Sequence, residues 1–179
     1  MISIERIIPG NVPIFKAVRL RALKDSPFAF GSTYAWESQF TDDEWLRRAE
    51  NWNGITGAGF LAIDKQEACG IAGSFLDEKY PAHARLVSMW TAPTHRMRGV
   101  GALLVRSAED WARRAGAGTM RLMVTSHNPP AQSFYERLGY TFTGVREPWP
   151  NDPAFLEYEM ARRIDQDSDL AIVARGEES

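Results

Sequence analysis

The six residues Arg96-Met97-Arg98-Gly99-Val100-Gly101, RMRGVG, stand between the apolar run LVSMW and the segment ALLVRSAEDWARRAG, which has helical spacing. The first backbone N–H groups of a helix lack partners, and this end carries about half a positive charge, so the junction suits an anion. Glycine also lets the backbone approach a bulky group closely. The motif lacks the G-x-x-x-x-G-K-[ST] pattern and the third glycine of a dinucleotide fingerprint. Taken alone, it leaves open both a tight turn and a phosphate site.

The chain has 179 residues, 44% of them hydrophobic and 25% charged, with no linker-like stretch. We therefore expect one domain over residues 1–164. Residues 165–179 contain five acidic residues and one basic residue, Arg175, so their net charge is −4. Because the whole chain has a net charge of −2, residues 1–164 have a net charge of +2. This predicts an acidic, flexible tail and argues against a nucleic-acid partner, which would need a clustered basic face.

Several further features of the sequence indicate the cellular compartment of the protein. No apolar run reaches the roughly 20 residues that span a bilayer, and the start MISIERIIPG is too charged for a signal peptide. The lone Cys69 fits a reducing compartment. We expect a cytoplasmic protein without a membrane partner. His83, His95 and His127 lack metal-ligand spacing, so no metal is expected.

The hydrophobic periodicity predicts alternating helices and strands around one sheet. Asn11 is expected to cap the first helix, and Thr41 with Glu44 forms a capping box before the second. An aromatic loop, SPFAFGSTYAW, separates these helices, and a second loop, EPWPNDP, separates the last two strands. The predicted elements are, in order, a strand at 2–8, helices at 11–24 and 41–52, strands at 59–64, 68–76 and 84–91, a helix after the RMRGVG motif ending at Gly116 or Gly118, a strand at 119–125, a helix at 129–138, and strands at 140–146 and 155–162.

A second motif, NPPAQSFYERLGY over residues 128–140, changes the interpretation of the first. Together with TAPTHRMRGVGALL at 91–104, it resembles the GCN5-related N-acetyltransferase (GNAT) family. Met97 stands where that family often has glycine, and Thr91 where it often has valine, but the contacts there are mainly through backbone. The residues that match the family pattern are Pro93, Arg96, Gly99, Gly101, Asn128, Ala131, Tyr135, Gly139 and Tyr140.

The resemblance implies an α/β (α+β) fold with a central, mostly antiparallel mixed sheet of about seven strands and four helices, splayed at the fourth strand. It also implies acetyl-CoA as cosubstrate, with the pyrophosphate at the helix N-terminus and the pantetheine arm along residues 89–91. The residues that the resemblance assigns to the cosubstrate are Met89, Trp90, Thr91, Arg96, Met97, Arg98, Gly99, Val100, Gly101, Ala102, Asn128, Ala131 and Tyr135.

Spacing places Tyr135 on the apolar stripe of its helix, where a tyrosine is more often a core residue. The resemblance instead implies that it is the general acid that protonates the departing thiolate. Glu37 and Glu78 are candidate bases, although such side chains are usually solvated surface groups. Phe30, Ser32, Tyr34, Trp36 and Trp149 are candidate acceptor-binding residues in the two loops.

The acceptor implied by this interpretation is the primary amine of a small molecule. Two alternatives remain open. The first is a protein acetyltransferase acting on an N-terminus or a lysine, which would need an open groove. The second is a sensor that binds acetyl-CoA without catalysis. A homodimer is also left open, because dimers are common among members of the family.

Overall fold

A computed structural model describes residues 1–165, so the predicted flexible tail lies almost entirely outside the described residues. Seven strands and five α-helices follow one another within that range. They are β1 (Ser3–Arg6), α1 (Val12–Asp25), α2 (Tyr34–Glu37), α3 (Asp42–Asn51), β2 (Gly57–Asp64), β3 (Glu67–Leu76), β4 (His83–Thr91), α4 (Val100–Arg114), β5 (Thr119–Thr125), α5 (Pro129–Arg137), β6 (Thr141–Trp149) and β7 (Asp152–Arg163).

The strands form one mixed sheet in the order β1-β2-β3-β4-β5-β7-β6. Every neighbouring pair is antiparallel except β4 and β5, which are parallel. These two strands pair only where residues 83–85 meet residues 119–121. Beyond that point they diverge, which confirms the mixed, mostly antiparallel sheet and its splay at the fourth strand.

Local sequence signals account for several element boundaries. The Thr41 hydroxyl accepts from the Glu44 amide at 3.3 Å, and the Glu44 carboxylate accepts from the Thr41 amide at 2.6 Å, so the predicted capping box starts α3. Lys65 and Gln66 have φ angles of 48° and 74°, the left-handed conformation of a two-residue hairpin turn between β2 and β3. Gly116, with φ of 97°, follows the end of α4.

The predicted cap at Asn11 is wrong in its mechanism. Asn11 precedes α1, but its side chain makes no capping bond to the helix. It turns back instead, accepting from the Ile8 amide and donating to the Arg6 carbonyl, both at 2.9 Å. The residue therefore fixes the connection from β1 to α1, while Pro13 occupies the first turn.

The segment EPWPNDP is mostly strand rather than loop. β6 continues through Trp149 and β7 begins at Asp152, so only residues 150 and 151 lie between the strands. Proline usually disfavours a strand because it cannot donate to the ladder. Pro148 is tolerated because β6 is the edge strand of the sheet and has a neighbour on one side only.

The core lies between the sheet and the helices packed on it. The longest apolar stripe belongs to α4, and its buried members include Leu104, Ala108 and Trp111, as the spacing predicts. On the same helix Leu103 is 39% exposed, whereas Val105 and Ala112 are buried. Within residues 1–165, no helix is both long and apolar enough to cross a membrane.

Candidate active site

An open cleft of about 980 Å³ lies where β4 and β5 diverge. Residues 86–89 of β4 and 122–125 of β5 line its opposite walls. Neither stretch is paired with the other strand, because the β4–β5 ladder ends at residues 85 and 121. Backbone groups on these facing edges are therefore available to an extended ligand that carries amides.

A β-bulge in β4 contributes to this divergence. Val87 pairs with Gly73 and Trp90 pairs with Ile71, so Ser88 and Met89 together oppose the single residue Ala72. Ser88 has φ of 58°, an unusual conformation for a non-glycine residue.

The helix α4 begins beside the cleft with its first turn open. Gly99, at φ of 80°, occupies the N-cap position and supplies no side-chain cap, and Leu103 is the first residue whose amide reaches a backbone acceptor, the Gly99 carbonyl at 3.1 Å. A Cβ atom on Gly101 would lie 3.0 Å from the Phe134 ring and 3.3 Å from the Met89 methyl group. The glycine therefore allows α4 to approach β4 and α5 closely, with unpaired amides at its start.

The two arginines of the motif have different environments. Arg96 is held by protein groups, because it pairs with Asp25 at 2.5 Å and donates to the Thr91 carbonyl at 3.1 Å. Arg98 is exposed and has no hydrogen bond or ion pair within the described residues. The predicted direct phosphate contact therefore fits Arg98, and Arg96 fits a role in holding the loop.

Asp25 is a residue that the sequence analysis missed. Its carboxylate accepts from Arg96, from the Trp90 indole at 2.9 Å and from the Ser26 hydroxyl at 2.7 Å. Burial raises the pKa of Asp25, but the hydrogen bonds from Ser26, Trp90 and Arg96 outweigh that effect and lower it. The aspartate thus joins the end of α1 to the end of β4 and to the loop before α4. Nothing in the spacing of Asp25 signals this role.

Tyr135 lies on α5, 8% exposed, and lines the cleft. Its ring contacts Phe134 and Tyr140, with centroid distances of 5.1 and 5.8 Å. The hydroxyl has no hydrogen-bond partner within the described residues, unlike the Tyr140 hydroxyl, which donates to Glu109 at 2.7 Å. Burial raises the pKa of Tyr135 well above its ordinary value, so the hydroxyl stays protonated at neutral pH.

Asn128 and Ala131 also line the cleft, as the resemblance predicts. Asn128 caps α5 by accepting from the Ala131 amide at 3.4 Å. The nearby Gln132 side chain donates to the Thr125 carbonyl at 3.0 Å. These bonds fix the start of α5 relative to the end of β5, and hence the position of Tyr135.

Glu37 does face the cleft, but two arginines hold it. Arg19 binds both of its carboxylate oxygens, at 2.7 and 3.0 Å, and Arg48 binds one at 2.7 Å. Burial raises the pKa of Glu37, but the two guanidinium groups together lower it to about 2. A carboxylate with so low a pKa is a poor proton acceptor, so the candidate role as base does not fit.

Arg19 was also missed, although the sequence contained a signal for it. It falls four residues after Phe15 on the buried stripe of α1, where a charged residue needs a partner. Besides Glu37, its guanidinium donates to the Ser88 hydroxyl at 3.3 Å and stacks on the Phe30 ring. Arg19 thus connects α1, α2 and the bulge of β4.

The predicted acceptor residues divide into two groups. Phe30, Ser32 and Trp149 line the cleft, and the Trp149 indole donates to the Phe30 carbonyl at 3.2 Å. Tyr34 and Trp36 are not among the lining residues, and Trp36 is 64% exposed. The candidate base Glu78 does not line the cleft either. The first half of the aromatic loop faces the cleft, whereas α2 carries Tyr34 and Trp36 elsewhere.

This geometry has a counterpart among known proteins. The model of the acetyltransferase (GNAT) family matches residues 19–140, which include the bulged strand, the open helix terminus and Tyr135. The chain belongs to the GNAT family. Its identification by two sequence motifs, and the fold that they implied, are therefore confirmed.

Three GNAT relatives show the extent of the similarity. A streptothricin acetyltransferase of Streptomyces lavendulae is 48% identical over 54 residues, but the match covers only 30% of this chain and 29% of that protein. A GNAT acetyltransferase of Streptococcus pneumoniae superposes with a TM-score of 0.78 at 18% identity, over 91% of this chain and 99% of that one. The structure of yncA, a putative acetyltransferase from Salmonella typhimurium, with its cofactor acetyl-CoA superposes with a TM-score of 0.74 at 17% identity, over 93% of this chain and 95% of that one.

The GNAT cosubstrate fits the residues present here. The unpaired edges of β4 and β5 suit the amides of a pantetheine arm, and the open N-terminus of α4 suits a pyrophosphate. The close approach at Gly101 places these two features side by side. Within the described residues, no group of three or more His, Cys, Asp or Glu side chains could hold a metal ion.

Proposed function

We propose that the protein transfers an acetyl group from acetyl-CoA directly to the primary amine of a small molecule. The observation that carries this proposal is the unpartnered Tyr135 hydroxyl in a cleft formed by the splay of β4 and β5. Acetyl-CoA, when bound, supplies the acetyl thioester. The family membership supports the class of reaction, and the residues of this chain determine how the reaction is carried out.

The chain supplies a donor for each charge that develops. A backbone N–H near the bulge of β4, at Met89 or Trp90, would donate to the thioester carbonyl oxygen. Tyr135 would donate its proton to the departing sulfur. Its raised pKa keeps the hydroxyl protonated at neutral pH, so it can donate to the sulfur as negative charge develops there. Because the parent thiol has a pKa of about 8.5, below that of tyrosine, completing the proton transfer costs free energy, which the conversion of a thioester into an amide supplies.

The acceptor amine must lose a proton before it attacks. A lysine-like amine with a pKa of about 10.4 needs about 4.6 kcal/mol for this at pH 7, whereas an α-amine near 8 needs about 1.4 kcal/mol. Because Glu37 is held at a pKa of about 2, it does not supply this step. The acceptor would therefore enter the cleft as the neutral amine, having lost its proton to the bulk solvent at the free-energy cost given above.

The walls of the cleft favour a small acceptor. Asn151, between β6 and β7, donates to the Phe30 carbonyl at 2.9 Å and to the Ser32 carbonyl at 3.1 Å, and Trp149 adds a third bond. These bonds join the aromatic loop to the turn between β6 and β7 and so form a fixed wall on one side of the cleft, which limits the room for a protein substrate. The similarity to streptothricin acetyltransferases also supports an amine of this size.

Thiol release from acetyl-CoA, with mass spectrometry of the products, tests the proposal. The panel contains streptothricin, simple alkylamines and peptides with free N-termini or lysines. We expect an N-acetylated small amine and little acetylated peptide. Preferential acetylation of peptides would favour the protein acetyltransferase, and acetyl-CoA binding without turnover on any acceptor would favour the sensor.

A further inference from the structure

Two glutamates of β7 face the cleft, and they differ in their partners. Glu159 is buried, accepts from the Thr143 hydroxyl at 2.9 Å and lies 3.6 Å from the Arg121 guanidinium. Glu157 lines the same cleft and is half-buried. It has no hydrogen bond to its side chain and no ion pair within the described residues.

The neighbouring strand β6 places a second carboxylate beside Glu157, which makes the negative charge of Glu157 less favourable. In the β6–β7 ladder, Glu147 lies directly opposite Glu157. Like charges at opposed positions destabilise a sheet, and neither of these two glutamates forms an ion pair within the described residues. Burial, and then the charge of Glu147, raises the pKa of Glu157. The fold thus places the Glu157 carboxylate at the cleft without an ion-pair partner among the described residues.

A second group in this cleft is also without a partner. The Tyr135 hydroxyl belongs to a side chain that is more than nine-tenths buried, and it lines the cleft without a hydrogen bond to the described residues. The hydroxyl oxygen is not among the fully buried atoms that lack a partner, so it is accessible from the cleft. An unpaired donor and an unpaired carboxylate in one cavity indicate a ligand with complementary groups.

We propose that Glu157, backed by Glu147, binds a second cationic group of the acceptor, so that the preferred substrates are diamines and larger polycationic amines. This inference rests on the proposed function and specifies its substrate class. Amines that carry a carboxylate at the same distance are disfavoured, because that carboxylate would meet Glu157.

The sheet geometry assigns Glu157 to the far cation rather than to the amine that reacts. The thioester is expected beside Met89 on β4, and Glu157 lies on β7, which is separated from β4 by β5. Neighbouring strands are about 4.8 Å apart, and β4 and β5 have already diverged at this level, so the two backbones are more than about 10 Å apart. An acceptor that spans the cleft can reach both ends.

Three probes of equal chain length test this assignment. The compounds 1,5-diaminopentane, pentylamine and 5-aminopentanoate share a five-carbon chain with a primary amine at one end, and they differ at the far carbon, which is an aminomethyl, a methyl or a carboxylate group. The measurement is kcat/KM for thiol release from acetyl-CoA, together with calorimetric binding of each probe to the protein saturated with CoA. We expect the diamine to be best and the aminopentanoate worst by both measures.

The variant Glu157→Gln keeps the size of the side chain and removes its charge. It should reduce the preference for diaminopentane over pentylamine by about tenfold, the usual magnitude for a lost charge-assisted hydrogen bond. Glu159→Gln is the matched control on the same face of β7, and it should leave that preference within about twofold. The thermal midpoint of each variant checks that the fold is retained.

The outcomes separate this inference from the proposed function. Equal use of the three probes, or an unchanged preference in Glu157→Gln, would overturn the inference while leaving the acetyltransferase intact. Selective binding of the diamine that is lost in Glu157→Gln, without any turnover, would support the cation site and contradict the proposed function. Preference for aminopentanoate would overturn the inference directly.

Discussion

At the scale of single residues, Tyr135 and Tyr140 form a natural comparison. Both rings are buried and in contact with each other, but only the Tyr140 hydroxyl has a partner, the Glu109 carboxylate. The burial of Glu109 and its bond to Arg162 at 2.8 Å make this second hydroxyl part of the structure. The free hydroxyl of Tyr135 is the one available for chemistry.

The comparison gives a matched pair of variants. Tyr135→Phe should lower kcat about 100-fold or more, because a general acid contributes roughly that factor, and it should leave CoA affinity within about twofold. Tyr140→Phe should instead lower the free energy of unfolding by about 1–3 kcal/mol, because Glu109 loses a buried donor. Steady-state kinetics and urea unfolding distinguish the two effects. An unchanged kcat in Tyr135→Phe would contradict its role as acid.

Glu37 gives a prediction about stability and pH. Its pKa of about 2 lies below its ordinary value of 4.5, so it stabilises the fold above pH 4.5, and this contribution is lost as the pH falls toward 2. Glu37→Gln leaves the Arg19 guanidinium without its charged partner and should cost about 3–5 kcal/mol at neutral pH. The difference between the wild type and the variant should shrink below pH 4.5.

Denaturant unfolding across pH 2–7 measures that difference for Glu37→Gln. A variant as stable as the wild type at pH 7, with a pH–rate profile that loses its acidic limb, would show that Glu37 is a base after all. The sequence could not separate these roles, because the residues that hold the carboxylate come from α1 and α3, 18 and 11 residues away in the chain.

At the scale of elements, the junction between β4 and α4 separates two roles for its arginines. Arg98→Ala should weaken CoA binding about threefold to tenfold and reduce its salt dependence, because an exposed cation near a phosphate is lost. Stability should not change. Arg96→Ala should instead lower the thermal midpoint, since it leaves Asp25 without its guanidinium.

Titration calorimetry at two salt concentrations measures the CoA affinity of the wild type and of both variants. If Arg96→Ala weakened binding and Arg98→Ala did not, the assignment of the two side chains would be reversed. Both variants should leave the open amides at the start of α4 in place, because Gly99 sets that conformation.

Elements with a strong repeating pattern were predictable from the sequence. The strands predicted at residues 59–64, 68–76 and 119–125 agree with the structure, because the alternation of apolar residues is a local signal. The helix α2 was not predicted, since four residues are too few to show a helical period. The end of β6 and the start of β7 were not predicted because both contain proline, and whether a strand tolerates proline depends on its position in the sheet.

The candidate site was predictable only in part. Backbone features such as the open helix terminus follow from glycines at fixed positions, and Asn128, Ala131 and Tyr135 line the cleft. Contacts between distant elements, such as Asp25 with Trp90, leave no local trace in the sequence. Glu157 was missed for the same reason, because only the structure shows that its side chain faces the cleft without a partner among the described residues.

At the scale of the whole molecule, the splayed sheet implies a coupling between ligand binding and stability. Free edges of β4 and β5 should gain partners when CoA binds. At a concentration of 100 times its dissociation constant, CoA should raise the free energy of unfolding by about 2.7 kcal/mol. Hydrogen exchange should slow in residues 86–91, 97–102 and 122–125, and remain unchanged in β1 and β2. Protection confined to β6 and β7 would contradict the proposed location of CoA.

A single-turnover experiment distinguishes direct transfer of the acetyl group within this cleft from transfer through the protein or no transfer at all. In a single turnover, acetyl-CoA labelled in its acetyl group is mixed with the protein and 1,5-diaminopentane, and the label is followed by rapid quenching. We expect the label to leave acetyl-CoA and to appear on the amine at the same rate, with none on the protein, and Tyr135→Phe to slow both steps. Label that accumulates on the protein, or that stays on acetyl-CoA with every amine, would contradict direct transfer.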